Sequence, residues 1–455
     1  MFIRRAEYII ALLSYHAGIE GVNGVLYATN RFVEKLTSFD LQKGTYNPDD
    51  STSKTYWAYH FGIFGQYYLG SLRQIGLIEE PVDENGQFFG IYRRTSRKDN
   101  NHVSGEELAT AFDVNIKPQN KQLFLGCIKK GFVNISELEI LTSDFNLKVI
   151  SQNSKEIELL KQILMDIDEP SAPRDNVVEM RKETIIHLMR YISANEYNNQ
   201  YDFTRYAYNF KGKFNNTYDN CLLGWYYYQF NEYWQTVCTA MLNATLDILE
   251  ELEGPGWINL HELINYLKDE VLAILKKEKI ITNENTSIQT ILKLLKNPED
   301  DLYEKIIQVK KRERLYYAFL QVWTLYNQNK DYLNVLNDYA IERQIGENQE
   351  DVLSYFTGFE RYFNLNVSKF IYDFLSVHVI TRHQYVAYRK IGGGSQSTQK
   401  FIIENNFIRK IGNFEPGFTS PRIITVMSFL TTLNLIDDNK KLSEFGKSFL
   451  NQYSE

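Results

Sequence analysis

From Val177 to Leu375 amphipathic helical segments follow one another with scarcely a strand signal between them, and this run decides most of what the chain can fold into. MLNATLDILEELEG, HELINYLKDEVLAILKKE, SIQTILKLLKN and ERLYYAFLQVWTLYNQ place apolar residues three and four positions apart, and several of these segments end at Gly, Asn or Pro. Such stripes are buried helix against helix, so the expected class is mainly α. No internal repeat period stands out in the run. Its apolar supply is sufficient: 44% of the 455 residues are hydrophobic and there are 9 Pro, a balance that argues for packed helices rather than disorder. A chain of this length is expected to form several cores.

The flanks read differently. At the N-terminal side, helical spacing in Ala6–Ser14 and Val25–Leu36 is followed by a polar loop, Gln42–Lys54, and an aromatic helix, Tyr56–Ile75. Then GLIEE, PVDENG and QFFGIYRRTS read as short strand, turn and strand, the order of a winged helix-turn-helix. SGEELATAF carries a Ser N-cap with Glu107 three positions on, and in NISELEIL Ser136 and Glu139 stand in the same relation. Near the C-terminus, PRIITVMSFLTTLNLIDDNKKLSEFGKSFLNQ repeats helix, NLID strand, turn, KLSE strand, helix, with Ser420 and Pro421 at the expected helix start. The expected architecture is a helical protein with winged-helix-like modules, each built on a small β-hairpin, near both termini. The expected divisions are 1–103, 104–167, 177–375 and 376–455, with the linker in DEPSAPRDN.

Charge singles out one region. The chain carries −7 overall, so nonspecific polyanion binding by the whole surface is excluded and any nucleic-acid contact must be local. Between His378 and Arg422 stand Arg382, Arg389, Lys390, Lys400, Arg409, Lys410 and Arg422 against Glu404 and Glu415. Within this region, YRKIGGGSQSTQKF adds glycine amides and the hydroxyls of Ser395 and Ser397, groups that donate to phosphate oxygens. DNA or RNA contact, docking onto an acidic partner, and a merely solvated surface all fit the pattern. A nucleotide loop does not: there is no Gly-Lys-Ser/Thr, and a helix rather than a strand precedes the glycines. Arg93 and Arg94, with Arg97 and Lys98 beyond them, give the first hairpin a smaller basic tip of the kind wings lay on a DNA backbone. The aromatic run 201–234 has balanced charges, which favours a packed core or a partner interface over base stacking.

The catalytic patterns are missing. Seven histidines form no HxH, HExxH or HxxxH pair, Cys127, Cys221 and Cys238 form no CxxC, and no GxSxG occurs. Asp49-Asp50, Glu79-Glu80 and Asp437-Asp438 fall at expected turns. No catalytic residue, metal site or cofactor is expected, although a site assembled from scattered acids stays open. MFIRRAEYIIALLSYHAGIEG reads as an amphipathic helix rather than a signal peptide, because Glu7 and His16 interrupt the apolar run. No membrane span and a cytoplasmic location are expected.

LRQIGLIEE and MSFLTTLNLIDDNKKLSEFGKSFL resemble winged-helix modules of prokaryotic DNA-associated proteins. Together with SGEELATAF and FLGCIKKGFVNISELEIL they resemble uncharacterised winged-helix accessory proteins of bacterial phage-defence operons. The resemblance covers less than half of the chain and carries over no catalytic residue. It implies a subunit that works beside a separate ATPase or nuclease. Two functions follow as expectations: a non-catalytic DNA-sensing or DNA-clamping subunit, or an architectural, kleisin-like adaptor that bridges such a partner without touching DNA.

Overall fold

The computed structural model describes residues 2–19, 22–96, 103–145, 150, 154–165, 176–210, 220–253, 256–296, 298–345, 351–391 and 398–453. The fold is mainly helical, with seven short strands in sheets of two or three among the described residues. Two compact units form, Met1–Tyr197 with Ile424–Glu455, and Asn198–Ile423, so the segment 376–455 contributes to both. No helix among the described residues is long and apolar enough to cross a membrane.

The first unit is organised on the helix Phe2–His16, whose Tyr8, Ile9, Leu12 and Leu13 are fully buried. Its charged residues also point inward. Arg4 is buried and donates to the carbonyls of Thr45 (3.0 Å) and Trp57 (2.8 Å) while its guanidinium lies over the Tyr56 ring. Arg5 donates to the Ile128 carbonyl at 2.8 Å. The Glu7 carboxylate accepts from the amides of Ile63 (3.0 Å) and Phe64 (2.7 Å), and so caps a later helix from outside its own sequence. That helix begins at Gly62, not at Tyr56 as its aromatic spacing suggested; Gly62 has φ 73° and the residues before it wrap around Arg4. The expected polar loop 42–54 likewise starts with a helical turn, Leu41–Thr45, capped by Asp40. Just before it, β1 (Ser38–Asp40) pairs antiparallel with a distant strand, so neither was visible as a local hairpin.

Two helix–hairpin–helix segments in this unit repeat one set of backbone bonds. In LRQIGLIEE, Leu77 N–H donates to Leu72 O (2.9 Å) across Gly76, which has φ 73°. In LTTLNLIDD, Leu435 N–H donates to Leu430 O (2.8 Å) across Asn434, with φ 56°. Both are left-handed helix ends, where Gly and Asn are the tolerated residues. The returning strand donates to the same leucine carbonyl in each: Thr95 to Leu77 and Ser443 to Leu435, both at 3.1 Å. The hairpins themselves differ. β2 (Ile78–Glu79) pairs with β3 (Arg93–Arg94), and the arm continues through a Val82–Phe88 bridge. The second hairpin closes at once, on a single Ile436–Leu442 bridge. Ser104 and Glu107 form the expected capping box. The second box is Asn134 with Glu137, two residues earlier than Ser136 and Glu139, because β4 (Phe132–Asn134), the partner of β1, runs directly into its helix.

The second unit centres on the long helix Asn220–Glu253 packed along Lys311–Asn329, with Trp234, Trp323, Phe230, Phe356 and Phe359 buried between them and their neighbours. The described part of the aromatic run 201–234 is therefore core. Its hydroxyls are satisfied internally: Tyr208 donates to Glu299 (2.7 Å) and accepts from Asn329 (2.8 Å), while Tyr226 donates to Asn329. The two ends of the unit are fastened together. Ser420 donates to Gln200 at 2.8 Å, Phe418 stacks on Tyr303 at 3.8 Å and packs edge-on against Tyr201, and the buried Glu232 accepts from the Thr419 amide (2.5 Å) and hydroxyl (2.7 Å). One small sheet interrupts the helices, in the order β5 (Ile258–Asn259), β7 (Phe407–Lys410), β6 (Phe401–Glu404).

Candidate nucleic-acid interface

The basic segment falls on two structures of the second unit. The first is a continuous helical run: Val367–Phe374, a π-helical stretch Leu375–Thr381, and the helix Arg382–Ile391. The π turns place His378 against Trp234, Tyr355 and Phe374, where burial, with Arg382 and Arg361 nearby, pushes its pKa down to about 4. The last helix turns its small residue Ala387 inward and leaves Tyr385 and Tyr388 60% and 59% exposed, with Arg389 and Lys390 beside them. Arg389 lies over the Tyr385 ring at 5.7 Å.

The second structure is the hairpin of β6 and β7. FIIENNFIRK sets Asn405-Asn406 between two short apolar runs, and their φ values of 48° and 64° make the left-handed pair that a two-residue hairpin needs. The Asn-Asn pair between two apolar runs is the local sequence signal for this hairpin. Period-two geometry then sorts its cations. Lys410 shares a face with Ile408 and, as the cross-strand neighbour of buried Phe401, ion-pairs with Glu250 of the long helix at 2.5 Å. That pairing holds the Glu250 carboxyl below its ordinary range. Arg409, on the other face, lies 5.0 Å over the Trp257 ring. Both cations therefore have partners within the unit.

His383 joins the two structures. Its Nε2 accepts from the Lys400 amide at 3.1 Å, which requires a neutral ring. Burial, then Lys400 and Lys390, pushes its pKa down to about 4. Ser395 and Ser397, with the three glycines before them, lie outside the described residues; His383 holds the amide of Lys400 on their C-terminal side.

Of the remaining expected residues, Arg382 is half-buried at the helix start, Lys400 is half-buried, and Arg422 is exposed with φ 60°. In the first unit Arg93 is ion-paired across the hairpin with Glu79 at 2.6 Å, so Glu79, expected at a turn, lies on a strand as its cross-strand partner. Glu80 likewise lies 3.8 Å from Arg73, while Arg94 is exposed. Arg97 and Lys98 lie outside the described residues. The structure places Arg382, Arg389 and Lys390 on one helix and Lys400 on the segment that His383 tethers to it. It adds Tyr385 and Tyr388, which the sequence reading passed over although YVAYRK spaces them one helical turn apart.

Among the described residues no three His, Cys, Asp or Glu side chains come together as a metal site. Against models of protein families, curated proteins and solved structures, the chain matches none.

Proposed function

We propose that the protein is a non-catalytic nucleic-acid-binding subunit of a bacterial multi-protein complex, of the antiviral-defence kind its sequence resembles. It holds the phosphate backbone with the helix Arg382–Ile391. The observation that carries this reading is the exposed group Tyr385, Tyr388, Arg389 and Lys390 on one short helix of an acidic protein. Arginine and lysine neutralise phosphates, and exposed tyrosines offer faces for bases to stack on. Lys400, tethered by His383, stands on the far side of the glycine segment and extends the same cationic track.

Fluorescence anisotropy with labelled duplex and single-stranded oligonucleotides tests the reading. Binding at low salt should weaken by about tenfold or more between 50 and 200 mM salt, as expected for a handful of phosphate contacts. Arg389→Glu with Lys390→Glu should abolish it. Failure of every oligonucleotide to bind at low salt ends the proposal.

The adaptor reading has its own observation. The arm between β2 and β3 holds Val82, Phe88, Phe89 and Ile91 at half exposure or more. Wing-like arms with apolar tips suit a protein partner, here an ATPase or nuclease subunit, and this is compatible with nucleic acid held by the second unit. Co-purification of such a partner that is lost on Phe88→Ser with Phe89→Ser supports it.

A further inference from the structure

A second polar site lies at the other end of the same helical run, and none of its residues belongs to the interface described above. A cleft of about 320 Å³ opens between the helices Leu260–Lys277 and Val367–Phe374, lined by His261, Asn265 and Lys268 from the first and Ser368, Lys369 and Tyr372 from the second. Its position is fixed by the sheet: Leu260 N–H donates to Asn406 O at 2.8 Å, and the Asn259 side chain accepts from His261 N–H at 3.0 Å.

Four of these side chains form one chain of hydrogen bonds. Lys268 Nζ is 2.9 Å from Asn265 Oδ1, Asn265 Nδ2 is 2.9 Å from His261 Nε2, and His261 Nδ1 is 2.8 Å from the Tyr372 hydroxyl. The direction of donation follows from the lysine, whose ammonium can only donate. It therefore claims the carbonyl end of Asn265 and turns the amide nitrogen toward the ring. His261 Nε2 then accepts, a neutral imidazole keeps its proton on Nδ1, and that proton goes to the tyrosine oxygen. The hydroxyl proton of Tyr372 is left for another acceptor. Lys268 and Lys369 add further N–H groups at the rim, and Ser368 a hydroxyl. The lining contains no carboxylate; Asp269 (3.3 Å from Lys268) and Asp373 (2.9 Å from Lys369) approach the lysines from outside it. A set of convergent donors with two ammonium groups matches a compact oxyanion with several acceptor oxygens, and the volume leaves space for a sugar attached to it.

We propose that this cleft is a seat for a phosphate monoester, with Lys268, Lys369 and Tyr372 as its direct donors and His261 and Asn265 as the residues that orient the tyrosine. The monoester is either a free nucleotide phosphate or the terminal phosphate of a nucleic acid strand. Tyr372 stands roughly 25 Å along the helical run from Arg389, at the rise of a helix.

Isothermal titration of the full chain with inorganic phosphate tests the seat. Saturable binding in the millimolar range is expected, weakened about tenfold by Tyr372→Phe and by Lys268→Met. Tyr372→Phe keeps the ring and its packing, so a folded variant that has lost binding isolates the hydroxyl. No saturation by about 50 mM phosphate, a Kd too weak for a built site, overturns the proposal, as does binding that neither substitution changes. Oligonucleotides of one sequence with a 5′-phosphate or a 5′-hydroxyl identify the source. A preference for the phosphorylated strand that disappears in Tyr372→Phe assigns the seat to a strand end, and equal binding assigns it to a free phosphate monoester. The Arg389→Glu, Lys390→Glu variant should still bind inorganic phosphate, so the seat and the backbone-binding helix can fail separately.

Discussion

The two hairpin modules of the first unit share a frame and differ in what they carry on it. In both, a leucine after a left-handed residue receives the returning strand on its carbonyl, and a glycine of the closing helix approaches that carbonyl so nearly that a Cβ would sit 2.0 Å (Gly105) or 1.9 Å (Gly446) away. The N-terminal module inserts a long arm with apolar residues toward its tip and Arg93 and Arg94 at its base. The C-terminal module closes at once through Asp437 and Lys440, and its turn exposes only polar residues, Asp437, Asp438, Asn439 and Lys441. A frame that tolerates both is set by the leucine, the left-handed residue and the glycine, which leaves the arm available for contact with another molecule.

The comparison can be broken at the frame. Leu77→Ala and Leu435→Ala each empty a buried position and should cost about 3 kcal/mol, measured by denaturant unfolding. Equal losses would confirm one frame; a loss confined to one module would dissolve it. Gly105→Ala and Gly446→Ala push a methyl into a backbone carbonyl and should cost about 2 kcal/mol each, with faster amide exchange concentrated in the closing helix. Ser104→Ala and Ser443→Ala remove matched N-caps, for about 1 kcal/mol each. Exchanging the left-handed residues, Gly76→Asn and Asn434→Gly, should change stability by less than about 1 kcal/mol in either direction, since both types accept that conformation. Phe88→Ser with Phe89→Ser sharpens the difference from the other side: the arm is exposed, so stability should move by no more than about 0.5 kcal/mol while any partner binding is lost.

Much of this frame was legible in the chain because its signals are local. LRQIGLIEE and LTTLNLIDD show it in nine residues, and the Ser104 capping box was readable from its spacing. What escaped depended on distant partners. The helix after Tyr56 starts late because Glu7, far back in sequence, supplies its cap. β1 and β4 are separated by some ninety residues and signal nothing alone. At the candidate interface the charge count was legible, but its disposition was not. Strand alternation places Lys410 against Glu250 and Arg409 over Trp257, contacts that the charge count alone does not reveal. The cleft around His261 could not be seen in sequence at all, since its two walls lie about a hundred residues apart.

The fastening of Gln200 to Ser420 has a consequence for how the protein comes to be folded. The first unit is completed by residues 424–455, and its Lys161 and Arg190 bind Phe445 and Tyr453 from that last stretch. More than two hundred residues intervene, so during synthesis most of this unit leaves the ribosome long before its final piece does. Closing such a loop from an unstructured chain is entropically expensive. Once the intervening residues have folded and their ends are joined, only a few flexible positions remain to be closed, which recovers about 3.5 kcal/mol on the logarithmic scaling of loop length. Folding of the middle before the last stretch docks therefore lowers the entropic cost of completing the first unit.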